Sequence, residues 1–68
     1  MTANQYRDAI ARLGLSQVRA GVLLGVSLKT SQRYAKSGAP EPVARLLQFL
    51  IATKVTPEEF ARLLTPAP

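Results

Sequence analysis

The chemistry this sequence can do is concentrated in four side chains, Lys29, Gln32, Arg33 and Lys36. Lys29 and Arg33 are four residues apart and so share one face of a helix. Each can donate to the O6 and N7 acceptors of guanine, and a glutamine can pair in bidentate fashion with adenine. Lys36 adds a charge suited to a flanking phosphate. Acid–base and covalent catalysis are poorly served. The chain has four carboxylates and neither histidine nor cysteine, which removes disulfides, thiol chemistry and structural zinc sites together. Glu58 and Glu59 form the one adjacent acidic pair, and helix capping accounts for them. No enzyme is expected, and no cofactor or small-molecule ligand is implied.

Those four side chains need a rod to stand on and a turn to aim it. Ser16 suits the cap of a first helix, Gly25 sits where that helix must turn, and Ser27 can cap a second immediately afterwards. Two helices crossing at about 90–120° need a small side chain at the crossing and a permissive backbone at the corner. Gly21 and Gly25 supply both. Gly21 alone would merely weaken its helix, by about 1 kcal/mol relative to alanine. Two glycines at this spacing, followed by a serine cap, favour a helix-turn-helix.

Around that unit the sequence predicts an all-α bundle of four to five short helices in one domain, residues 1–65, with a flexible tail at 66–68. The first helix starts at Thr2, with Gln5 three residues on completing a capping box, and stops before Gly14. Its apolar face is Tyr6, Ala9, Ile10 and Leu13. The second runs from Gln17 to Leu24 and offers Val18, Gly21, Val22 and Leu24 for packing. A third covers roughly Leu28 to Lys36. Pro40 and Pro42 stiffen the next connection, and Pro42 can occupy the first turn of a fourth helix from Val43 to about Thr53. That helix carries Val43, Leu46, Leu47, Phe49, Leu50 and Ile51 over more than half its circumference, so it belongs at the centre of the core or on a shared face. Thr56-Pro57-Glu58-Glu59 opens a fifth helix, with Phe60, Leu63 and Leu64 as its buried stripe. No segment keeps the two-residue alternation of a strand.

Charge is distributed unevenly. The formal net charge is +5, and no acidic residue lies between Asp8 and Glu41, an interval that holds Arg12, Arg19, Lys29, Arg33 and Lys36. The other basic residues have acids close by, as in Arg7-Asp8, Glu41 with Arg45, and Glu59 with Arg62. The positive field belongs to the turn-bearing segment, which favours a polyanionic partner; a merely solvated basic face is the plainer alternative. Apolar runs are only a few residues long, nothing reads as a secretory signal, and the cytoplasm is the expected compartment.

A first helix opened by Ser16-Gln17, small Gly21 midway along it, Gly25 at its end, Val26 filling the angle, and Ala20 and Tyr34 facing inwards form a distinctive set. Over Leu15 to about Gly38 this resembles the helix-turn-helix of the phage-repressor and Cro family of DNA-binding proteins; the flanking helices fit that family's layout more loosely. Two positions depart from it. Gly21 replaces the usual alanine, and Ser31 stands where an apolar residue normally anchors the recognition helix, so that helix is expected to be held less tightly and rotated slightly.

The resemblance implies a lambda-repressor-like bundle that binds double-stranded DNA sequence-specifically through the major groove, as a transcriptional regulator of the repressor kind. It places Leu28, Lys29, Gln32 and Arg33 at base edges, with Leu28 equally suited to capping the core beside the turn. Gln17 would meet a phosphate at its helix N-terminus, where free amides and the dipole favour an anion. Arg19, Ser27 and Lys36 are further phosphate candidates, although capping alone explains Ser27, and Arg19 and Lys36 suit solvent as well. Thr30 is expected to face the backbone or the first helix of the unit. Arg7, Arg12, Lys54 and Arg62 read as ordinary surface residues.

Family members usually dimerise to read two half-sites about one helical turn apart. The apolar excess of the last two helices offers Phe49, Leu50, Ile51, Phe60 and Leu64 as a homodimer surface, or else completes a monomeric core. The alternative function is an antitoxin or another protein–protein adaptor on the same fold, with Lys29, Gln32 and Arg33 as decoration. RNA binding is disfavoured because Tyr6, Tyr34, Phe49 and Phe60 all fit inward-facing positions, leaving few stacking platforms.

Overall fold

Hydroxyl caps set where four of the five helices begin. In the structure, a computed structural model that describes residues 1–64, Thr2, Ser16, Ser27 and Thr56 each accept a hydrogen bond from the backbone N–H three residues on, at 3.1–3.2 Å. Thr2 and Gln5 complete a reciprocal capping box. The helices are α1 (Ala3–Arg12), α2 (Gln17–Leu24), α3 (Leu28–Ser37), α4 (Glu41–Thr53) and α5 (Pro57–Leu64), and together they form a compact all-α bundle. The expected tail at 66–68 lies outside the described residues.

α4 begins two residues before the expected Val43. The reason is chemical: the first turn of a helix leaves its N–H groups unused, so Pro42 sits there without penalty and Pro40 serves as the N-cap. The first helical bond runs from Ala44 N–H to the Pro40 carbonyl at 3.0 Å. At the far end Lys54 takes a left-handed conformation, φ 57°, as the C-cap, a role its surface position had not suggested.

The core joins α1, α2, α3 and α4 through Tyr6, Ala9, Ile10, Ala20, Ala35, Ala39 and Leu47, with Leu13, Leu15, Leu24, Tyr34, Val43 and Ile51 packed around them. Tyr6 and Tyr34 meet edge to face, ring centroids 5.6 Å apart. The N-terminal residue is built in as well: Ala39 N–H donates to the Met1 carbonyl at 3.0 Å, and the Met1 ammonium donates back to the Ala39 carbonyl at 3.3 Å.

Several packing expectations need correction. Val18 and Val22 are exposed, the latter at 78%. No residue of α5 is buried: Phe60 is half-covered, and Leu63 and Leu64 are exposed. On α4 the buried face is Ala44, Leu47 and Leu50. Leu50 is fully enclosed and is lost to any dimer surface, and Ile51 packs against the core. Phe49 lies about 200° around the helix from Leu47 at 3.6 residues per turn, so it faces outwards rather than inwards. Among the described residues no helix is long and apolar enough to cross a membrane.

Candidate nucleic-acid interface

The α2–α3 corner is built on two glycines and a serine. Gly25 ends α2 at φ 75°, a left-handed conformation that costs glycine little. Val26 N–H then donates to the Gly21 carbonyl at 2.9 Å, and Ser27 caps α3. Gly21 is buried where the helices meet. A Cβ there would lie 3.2 Å from the Val26 carbonyl oxygen and 3.4 Å from that of Ser27, so the corner closes on an absent side chain.

Ser31 corrects the expectation of a loosely held α3. It is fully buried, and its hydroxyl donates to the Gln17 carbonyl at 2.7 Å. The Tyr6 hydroxyl lies 2.8 Å from the same serine oxygen. Ser31 has one hydroxyl proton, and Gln17 takes it, so Tyr6 is the donor in the second bond. One chain of hydrogen bonds therefore links α1, α3 and the first residue of α2. Arg7 adds a second tie, donating to the Ala35 carbonyl in the last turn of α3 and to Asn4 on its own helix. Spacing marked neither tie. The available signal was stoichiometric: Tyr6 and Ser31 both occupy inward-facing positions, and two buried hydroxyls need partners.

With Ser31 and Ala35 turned inwards and Tyr34 half-buried, the opposite arc of α3 carries Lys29, Gln32, Arg33 and Lys36, all exposed. Among the described residues, none of these four side chains has a hydrogen bond or ion-pair partner. Leu28 stands at the start of the helix, 44% exposed. Thr30 is half-buried and turned towards the cap, where Ser27 donates to its hydroxyl at 3.1 Å. That bond and the one accepted from Thr30 N–H engage the Ser27 hydroxyl within the cap itself.

Gln17 and Arg19 share the first turn of α2 but differ in setting. Gln17 is half-buried and fixed through its carbonyl, whereas Arg19 is exposed and lines a groove facing α5. Elsewhere two cations are paired with acids. Arg12 pairs with Asp8 at 2.9 Å and Arg45 with Glu41 at 3.1 Å, both in solvent and each one helical turn apart. Residues 13–40 hold Arg19, Lys29, Arg33 and Lys36 with no acid, so most of the net charge of +5 lies on α2 and α3. Among the described residues no group of acidic residues is arranged to hold a metal ion.

No protein-family model, curated protein or solved structure matches this chain.

α3 is held against α1 and α2 by buried contacts along one side. Two cations, an amide and a third cation lie free along the other. Such a rod can enter a groove about 12 Å wide and donate hydrogen bonds there.

Proposed function

We propose that α2 and α3 form a helix-turn-helix, and that the chain binds double-stranded DNA sequence-specifically by placing α3 in the major groove, as a transcriptional regulator of the repressor kind. The observation that carries this reading is the exposed arc of Lys29, Gln32, Arg33 and Lys36 on a helix whose other side is locked by Ser31 and Ala35. Lys29 and Arg33 suit guanine, Gln32 suits adenine, and Leu28 at the helix start can meet a thymine methyl. Lys36 and the N-terminus of α2 at Gln17 suit the phosphates on either side. A single module reads few base pairs, so two copies on a palindromic site are part of the proposal.

The test is selection of preferred duplexes from a random pool, run with the parent chain and with Arg33→Ala. Enrichment of a palindrome is expected. The variant should relax preference at one position per half-site, with a loss of about 1–3 kcal/mol in discrimination there. Binding that is weak and indifferent to sequence would instead favour a protein–protein adaptor, such as an antitoxin, with the α3 cations as solvated decoration.

A further inference from the structure

The exposed arc of α3 is rich in hydrogen-bond donors and almost bare of acceptors. Lys29, Arg33 and Lys36 can only donate, and of the four side chains Gln32 alone can also accept. No acidic residue stands on this helix, and Thr30 and Ser31 are turned to the cap and the core. That inventory sorts the four bases. Guanine offers a cation two major-groove acceptors, O6 and N7, whereas thymine offers O4 alone. Adenine sets its N6 amino group beside N7, and cytosine presents only the N4 amino donor, which a cation cannot satisfy. A lysine or arginine here therefore ranks guanine first and cytosine last. Only Gln32 can meet the amino group of adenine.

Spacing then orders the base pairs. A helix rises about 1.5 Å and turns about 100° per residue, so Lys29 and Arg33 stand about 6 Å apart along α3 and about 40° apart around it. Base pairs stack at about 3.4 Å, so the two cations span about two steps on one side of the groove. Gln32 lies between them in height, about 60° round from Lys29. Lys36 is about 10 Å along from Lys29, past the third pair and closer to the backbone.

We infer that the half-site read by α3 holds two guanines on one strand, separated by a single A·T pair, with Lys29 and Arg33 each on a guanine and Gln32 on the adenine between them. This rests on the DNA reading above and adds to it the identity and order of the bases. It also makes binding sensitive to methylation of adenine N6. A methyl group that leaves the base pair intact replaces the major-groove hydrogen, so Gln32 loses its donor and meets a methyl instead.

The test uses the full chain and the duplex it enriches from a random pool, resynthesised with one base altered at a time in both half-sites. Fluorescence anisotropy gives the affinities, and circular dichroism checks that each variant is folded. Replacing either guanine by 7-deazaguanine removes N7 and should weaken the parent about tenfold. Inosine keeps O6 and N7 and lacks only the minor-groove amino group, so it should bind as guanine does. N6-methyladenine should weaken the parent about as much as 7-deazaguanine does. Each loss belongs to one side chain. Lys29→Ala should be indifferent to one 7-deazaguanine, Arg33→Ala to the other and Gln32→Ala to N6-methyladenine, while each keeps the parent's response to the other two changes. Gln32→Glu should move the preferred middle pair from A·T to C·G, because a carboxylate accepts from cytosine N4. An enriched site without two guanines so spaced, or variants that respond to every change as the parent does, would overturn the base assignment and leave sequence-specific binding standing. An inosine loss as large as that of 7-deazaguanine would put the contacts in the minor groove, and enrichment of no sequence at all would remove the DNA reading itself; the inference falls with either.

Discussion

At the scale of single residues, the Tyr6–Ser31–Gln17 chain has a direction, and the direction fixes an asymmetry. Protons run from Tyr6 to Ser31 and from Ser31 to the Gln17 carbonyl. Ser31→Ala strands a fully buried phenolic hydroxyl with no acceptor, and an unsatisfied buried donor costs about 1–3 kcal/mol. Tyr6→Phe leaves Ser31 donating as before and empties only a lone pair, so the loss should stay near 1 kcal/mol. The double variant removes both ends of the bond, and its loss should fall short of the sum of the two single losses. Urea denaturation of the four proteins measures this as midpoints at constant slope. Strict additivity, or a larger loss for Tyr6→Phe, would show that the hydroxyls do not depend on one another.

At the scale of elements, α3 is held at its beginning, its middle and its end. The Ser27 cap and Ser31 hold the first two; Arg7 and the Met1–Ala39 pairing hold the last. Gly38 makes the end possible. Its φ of 105° belongs to glycine, and a Cβ there would lie 2.6 Å from the Met1 carbonyl oxygen. Gly38→Ala should therefore destabilise by about 2 kcal/mol or more, backbone strain and a clash with main chain acting together. Gly14 is the control. It has φ 72°, and a Cβ added there would meet nothing within 4 Å, so Gly14→Ala should cost only the left-handed penalty of about 1–2 kcal/mol. Thermal melts of both variants check the order, and equal shifts would remove the Met1 contact from the account. The helix starts at Thr2, Ser16, Ser27 and Thr56 were legible in the sequence because a cap is a local feature. The exposed arc of α3 was legible for a similar reason, since helical spacing fixes which residues share a face. The exposure of Val18, Val22, Leu63 and Leu64 was not legible. Periodicity groups apolar residues on one side but cannot say whether another helix lies against them. Ser31 was misjudged for the same reason, its partner Tyr6 being 25 residues away.

At the scale of the whole molecule, the placement of charge bounds how the protein can respond to salt. Arg19, Lys29, Arg33 and Lys36 are the only charged side chains in residues 13–40, whereas the C-terminal part from Glu41 onwards carries three acids and three bases. Each phosphate neutralised on a duplex releases counterions and contributes about −0.9 to the slope of log K against log salt. If all four cations reached phosphates, the slope would be about −4 per copy; if Lys29 and Arg33 reach bases instead, it falls to about −2. Lys36→Gln should lower the magnitude by about 1 per copy and weaken every sequence alike. Arg45→Gln should change neither slope nor affinity, because Arg45 is one turn from Glu41 on a different helix and already paired with it. Fluorescence anisotropy titrations over a range of salt concentrations measure all three proteins. A parent slope well beyond −4 per copy, or one reduced by Arg45→Gln, would show that DNA is met by a wider surface than α2 and α3. A Lys36→Gln slope equal to the parent's would place that cation in solvent, leaving the contacts to Arg19 and the first turns of the two helices.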